Sequence, residues 1–210
     1  MAPGVSPRLT PATLRSATES LASQDLDLGL SLTLYGVPPL WDRPQGFATL
    51  IQIILEQQVS LASAAATFSR LNLEITPFTP AQFIKCGDLF LRKCGVTRQK
   101  AGYCLHLAEA ICADLLHLDR LDEMDDVDVG AALMKIKGIG PWTARIYLLM
   151  ALLRPDVWPS GDIALAEAAR RIKGLSKRPS QEKLSQMAEA WQPYRSVAAR
   201  ILWLHYLKTK

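Results

Sequence analysis

From Met134 to Met150 the chain runs MKIKGIGPWTARIYLLM. One apolar helical pattern stops at two glycines separated by a single residue, a proline follows at once, and a second apolar helical pattern begins. Glycine adopts left-handed backbone angles that a Cβ resists. Proline at the first position of a helix gives up only an N–H that has no intrahelical acceptor there. The segment therefore predicts a sharp helix–hairpin–helix. The unpaired N–H groups at the start of the second helix, with Lys137 beside them, can grip a phosphate. Such a grip holds a nucleic-acid backbone without reading its sequence. The same residues also fit a plain glycine-ended helix followed by a proline-started one, and spacing alone leaves both readings open.

The rest of the chain carries the same period. From Thr13 on, Leu14, Ala17 and Leu21 recur at helical spacing. A proline-rich loop, Tyr35 to Gly46, follows. The stretch FATLIQIILEQQVSLASAAATFSRL predicts one long helix with Leu50, Ile54 and Leu61 on one side. Further helices follow at PAQFIKCG and at TRQKAGYCLHLAEAICADLL, the latter with Ala101, Leu105, Ala108 and Cys112 in one stripe. Asp125, Asp126 and Asp128 precede another apolar run, where acids suit a helix N-terminus. AEAARRIKG, SQEKLSQMAEAWQPYRS and VAARILWLHYL complete the helical segments. No strand or hairpin pattern stands out, so the fold class is all-α. Residues 1 to about 11, rich in Pro, Gly and Ser, are expected to be a mobile tail, with the helical core over 12–210.

Composition narrows the class without choosing a function. Apolar residues make up 49% and charged residues 21% of the 210-residue chain, an ordinary globular balance. A net charge of +4 fits a mildly basic enzyme and also allows a polyanionic partner. Cys86, Cys94, Cys104 and Cys112 are spaced by 8, 10 and 8, which matches neither a zinc knuckle nor a common iron–sulfur run. They are expected to be small buried thiols in a reducing compartment. The N-terminus lacks the apolar core of a secretory signal and IYLLMALL is too short to span a bilayer, so the expected location is cytoplasmic, with no membrane partner.

KGIGPWTA followed by WPSGD resembles the helix–hairpin–helix/Gly-Pro-Asp superfamily of DNA glycosylases. RPQGFATLIQIILEQQVSLASAA and WQPYRSVAARILW are similar to its alkylated-base branch, the 3-methyladenine DNA glycosylase II group. The resemblance covers roughly residues 30 to 205. It implies a two-lobed helical catalytic core, with the active-site cleft between the lobes, and without the N-terminal β-rich domain of larger members. It also implies double-stranded DNA with alkylated bases as partner, and a monomer.

Residue by residue, the resemblance makes Asp162 the catalytic acid. A carboxylate against deoxyribose stabilises the positive charge that develops as an N-glycosidic bond breaks. Asp162 also stands where a helix N-cap is expected, and capping alone would account for it. Trp142 replaces the lysine of the lyase-competent endonuclease III-like branch and cannot form a Schiff base. No cysteine follows Cys112, where that branch often holds an iron–sulfur cluster. The resemblance thus implies a monofunctional enzyme that needs no cofactor. Trp142 and Trp203 map to the base pocket, where indole faces attract a cationic alkylated ring. Trp41, Trp158 and Ile146 are further pocket candidates, Ile146 standing where some relatives have tyrosine. Trp191 is expected in the core, and core packing also explains any of the other tryptophans. Gln58, with Gln57 beside it, maps to the residue that fills the space left by a flipped base. Lys137, Gly138, Gly140 and Thr143 are the expected DNA contacts of the hairpin. The carbonyls of Met134, Ile136 and Ile139 map to a monovalent-cation site. The expected activity is hydrolytic excision of 3-methyladenine and 7-methylguanine, extending to 1-methyladenine. The alternatives are a mismatch or oxidised-base glycosylase of the same superfamily, or a helix–hairpin–helix module that binds DNA without catalysis.

Overall fold

The computed structural model describes residues 7–209. In chain order its helices are α1 (Pro11–Gln24), α2 (Leu26–Tyr35), α3 (Phe47–Glu56), α4 (Leu61–Glu74), α5 (Pro80–Lys93), α6 (Arg98–Cys112), α7 (Asp126–Met134), α8 (Pro141–Met150), α9 (Ile163–Ile172), α10 (Gln181–Glu189) and α11 (Arg195–Lys208). A 3-10 turn covers Leu118–Glu123, and no strand occurs among the described residues. Most starts are set by a side chain that accepts an otherwise unpaired N–H: Thr10, Asp25, Ser60, Thr79, Thr97, Asp125, Asp162 and Ser180 all cap in this way. Each such cap is worth about 1 kcal/mol. Asp125 confirms the bland reading of the acidic run: its carboxylate accepts the Asp128 N–H.

The chain divides into two compact units. One is built from residues 43–147. Its α3 packs on α4 and α6, and α5 packs on α6. Phe47, Phe78 and Phe83 meet edge-on or tilted, with centroids 4.8 to 6.1 Å apart. Leu50, Ile51, Ile53 and Ile54 of α3 are fully buried, each worth about 1.5–3 kcal/mol.

The second unit is built from residues 7–42 and 148–209 among those described. Its centre is α11, buried without a break from Ser196 to His205, with α1, α2, α9 and α10 packed on it. Arg200 lies inside this apolar helix. Its Nε donates to the Leu40 carbonyl at 2.8 Å, Nη1 to Ser196 O at 3.0 Å and Nη2 to Leu149 O at 2.7 Å. Burial pushes its pKa down to about 10, opposed by Asp42. Trp191 is core, as expected, and its indole N–H donates to Asp25 at 2.9 Å.

Three expectations change. The long helix over 47–71 is two helices: Gln58 turns left-handed (φ +55°), Ser60 caps α4, and Leu61 is exposed instead of sharing a face with Ile54. The buried stripe of α6 is rotated to include Cys104 and Leu107, and Cys112 is exposed. Of the tail over 1–11, residues 1–6 lie outside the described residues, while Leu9 is buried and its N–H donates to Leu153 O at 2.8 Å.

Candidate functional site

In the first unit, α7 and α8 are joined by the glycine turn. Gly138 has φ +98°, and a Cβ there would lie 2.1 Å from Cγ of Tyr103, so only glycine fits. Gly140 has no positive φ and no neighbour in the path of a Cβ. It is not required by conformation. Instead it leaves bare backbone at the start of α8, where its carbonyl accepts the Ala144 N–H at 3.0 Å. Pro141 takes the first helical position, and Lys137 is exposed on the turn.

The turn between α3 and α4 is tied to this hairpin. Gln57 Nε2 donates to the Gly138 carbonyl and to Thr143 Oγ1, both at 2.9 Å. Lys100 reaches from α6 to donate to Leu55 O, one of the last carbonyls of α3, at 2.7 Å. Arg43 pairs with Glu56 through two bonds of 3.0 Å. Gln57 is thus a cross-tie, and Thr143, 2% exposed, accepts that tie on its hydroxyl. Of the two glutamines Gln58 is the exposed one, in a left-handed conformation (φ +55°) at the tip, with Val59 and Ser60 exposed beside it.

The second unit positions the carboxylate. Gly161 (φ +86°) turns the WPSGD segment, and Asp162 caps α9 by accepting the Leu165 N–H on Oδ1 at 2.9 Å. The same oxygen lies 3.4 Å from the indole nitrogen of Trp203, which donates to it from α11. Trp203 is 9% exposed and meets Trp41 edge-on, with centroids 6.5 Å apart. Trp41 is half-buried and left-handed (φ +47°), on the loop whose Leu40 carbonyl Arg200 holds. A half-buried carboxylate, an indole that orients it and a second indole thus form one cluster.

Two pocket candidates turn out to be core. Trp158 is 6% exposed and packs on Trp191, with centroids 5.5 Å apart. Ile146 is 2% exposed and fills the interior one turn beyond Trp142. Trp142 itself is half-buried at the second position of α8. Of the thiols, Cys94 and Cys104 are buried, Cys86 is half-buried, and Cys112 is at the surface, contrary to the expectation of four buried thiols. Burial pushes the Cys104 thiol up to about 12, which leaves it unreactive. Among the described residues no group of three His, Cys, Asp or Glu side chains could hold a metal. Of the three carbonyls mapped to a cation, Ile136 O already accepts the Ile139 N–H at 3.0 Å. A set of neutral carbonyls still fits a hard cation of low charge.

Sequence reasoning missed Tyr103, Lys100, Arg43 and Arg200, which hold the functional segments in place. Arg200 had a signal: it is the one charge in the apolar run VAARILWL, and a charge there needs buried acceptors. Nothing in the local sequence marks Tyr103 as the neighbour of Gly138.

The family described as HhH-GPD superfamily base excision DNA repair protein matches residues 51–193. The Bacillus subtilis protein YfjP is 36% identical over 113 residues, which span 54% of this chain and 39% of that protein's length. A structure of Schizosaccharomyces pombe 3-methyladenine DNA glycosylase (Mag1) in complex with abasic DNA superposes with a TM-score of 0.83 at 26% identity, over 90% of this chain and 95% of that one. A DNA-3-methyladenine glycosidase from Bacillus halodurans gives a TM-score of 0.75 at 30% identity, over 89% and 87% of the two chains.

Proposed function

Because this chain belongs to the HhH-GPD superfamily of base excision DNA repair proteins, we propose that it is a monofunctional DNA glycosylase that hydrolyses the N-glycosidic bond of alkylated bases, 3-methyladenine and 7-methylguanine first among them. The observation that carries this reading is the Asp162 carboxylate, held at the start of α9 by the Leu165 N–H and by the Trp203 indole. As the C1′–N bond breaks, its electron pair leaves with the base, and an alkylated cationic ring departs neutral. Positive charge develops on the sugar, and the Asp162 carboxylate stabilises it. Water then bonds through its oxygen to C1′ and releases a proton, leaving an abasic site and a free base.

Trp203 and Trp41 offer indole faces beside the carboxylate, and Trp142 offers one at the hairpin; such faces favour a cationic ring over a neutral one. Gln58, exposed at the tip of the turn, is suited to filling the gap left by the flipped base. The backbone at Gly138 and Gly140, with Lys137, is suited to one phosphate of double-stranded DNA. A monovalent cation on the Met134, Ile136 and Ile139 carbonyls would brace that turn. Trp142 supports the absence of lyase chemistry, since an indole cannot form the Schiff base that strand cleavage requires.

The test is incubation with duplexes carrying 3-methyladenine or 7-methylguanine, with free base measured by chromatography and the strand analysed before and after alkali. Free base and a strand that breaks only after alkali are expected. If no alkylated duplex yields free base, the glycosylase reading is wrong. A borohydride-trapped covalent complex would overturn the monofunctional part alone.

A further inference from the structure

Beside the hairpin lies an open groove of about 520 Å³ lined by Arg98, Gln99, Gly102, Tyr103, His106 and Lys137. Five of these come from one face of α6: two adjacent pairs, Arg98–Gln99 and Gly102–Tyr103, and then His106, so that partners three and four residues apart share the face. The sixth is the hairpin lysine. Its lining holds no carboxylate. Arg98 and Lys137 are basic side chains that form no ion pair among the described residues, while His106 has Glu109 3.5 Å away. Two unpaired cations and an imidazole on one groove make a locally positive surface in a chain whose net charge is only +4.

The groove is also rigidly joined to the hairpin. The Tyr103 ring occupies the space that a Gly138 side chain would need, and Gln99 Nε2 donates to the Tyr103 hydroxyl at 2.6 Å. Arg98 and Lys137 are therefore carried on two elements packed ring-to-backbone. A buried small ligand does not fit here: Arg98, Gln99, His106 and Lys137 are all exposed, whereas small-molecule sites enclose most of their ligand. An open cationic groove suits a charged chain that passes along it.

We propose that this groove binds a second backbone phosphate of the duplex, beyond the one held by the hairpin backbone, with Arg98 as its principal contact. The proposal rests on the DNA-glycosylase reading and extends it: α6, besides the hairpin, sets the length of the DNA footprint. Arg98 supplies up to five N–H donors in a fork that fits phosphate oxygens; Gln99 flanks it, and Lys137 stands between this phosphate and the one at the hairpin.

The experiment is a salt titration of affinity for a duplex with a tetrahydrofuran abasic-site analogue, followed by fluorescence anisotropy, with the full chain. Wild type, Arg98→Ala, Arg98→Lys and a control, Arg15→Ala, are compared; Arg15 is exposed on α1. Removing one phosphate contact makes the slope of log K against log salt shallower by about 0.9. Arg98→Ala is expected to show that change with weaker binding, Arg98→Lys to recover most of the slope, and Arg15→Ala to keep the wild-type slope. If the wild type binds and excises and Arg98→Ala keeps the wild-type slope, the groove proposal fails while the glycosylase reading stands. An equal change in Arg15→Ala also overturns it, because net charge then explains the effect. A wild type that neither binds this duplex nor releases an alkylated base overturns both.

Discussion

Oδ1 of Asp162 accepts from the Leu165 N–H at 2.9 Å and from the Trp203 indole N–H at 3.4 Å. The first bond starts α9. The second restrains the carboxylate against rotation, so Trp203 acts on its position, besides the role proposed for it as a wall for a base. Trp203→Phe keeps an aromatic face and removes the donor, together with one ring of the indole. Under single-turnover conditions it is expected to slow excision roughly tenfold, equivalent to about 1.4 kcal/mol, with little change in affinity for abasic-site DNA. An unchanged rate with weaker binding would instead make Trp203 a stacking surface only. Gly138 is constrained in another way. Gly138→Ala combines a left-handed φ with a Cβ 2.1 Å from the Tyr103 ring. It is expected to lower the melting temperature by at least about 3 °C, the shift that about 1 kcal/mol produces in a chain of this size. Adding Tyr103→Ala removes the clash but not the φ strain, so it is expected to recover only part of that loss. A Gly138→Ala variant that melts with the wild type would contradict the packing described here.

Among the elements, the α3–α4 turn does the most with the fewest residues. Gln57, Lys100 and Arg43 tie it to the hairpin, to α6 and to Glu56, and the exposed Gln58 is what those ties present. The two glutamines therefore separate experimentally. Gln57→Ala strands the Gly138 carbonyl and Thr143 hydroxyl and is expected to cost about 1–3 kcal/mol, read from denaturant unfolding. Gln58→Ala touches no partner and is expected to leave stability within about 0.5 kcal/mol while slowing excision. Equal stability losses in both would sink the division of roles. This turn is also where the sequence was least legible. QQVS is compatible with a continuing helix, and the apolar period runs on to Leu61. What breaks the helix is Ser60 capping the next one, together with tertiary ties from residues more than forty positions away. The hairpin was legible because glycine and proline act locally, and the α9 start because an acid at an N-cap does too. The burial of Trp158 and Ile146 was not legible, because chain position relative to a motif does not say which face of an element is buried.

For the whole molecule, the all-helical order and the helix starts follow from local residues, while the internal ties of each unit come from long-range polar anchors. Arg200 is one, with three backbone carbonyls as acceptors. His205, also in the second unit, is no such anchor: its buried Nδ1 has no hydrogen-bond partner among the described residues. It is 9% exposed, burial first and Arg171 second lower its pKa, and its ring meets Tyr35 edge-on. An unfolded histidine titrates near about 6.5. At pH above that value both states are neutral and stability is at its full level. As pH falls below it, the unfolded chain takes up a proton that the folded chain resists, so stability is lost down through the folded pKa. The melting temperature is expected to drop between pH 7.5 and 5.5, and His205→Gln to flatten that drop. A profile with the same slope in the variant would rule out His205 as its source. The central claim, that Asp162 acts on the sugar and is more than a cap, is tested most directly by Asp162→Asn. Asparagine caps a helix as well as aspartate does, so folding is kept and only the charge is removed. With 7-methylguanine duplex at saturating enzyme, the account predicts a fall in the single-turnover rate of about a hundredfold or more, with abasic-site binding retained. A variant that excises within a few-fold of the wild-type rate would contradict it.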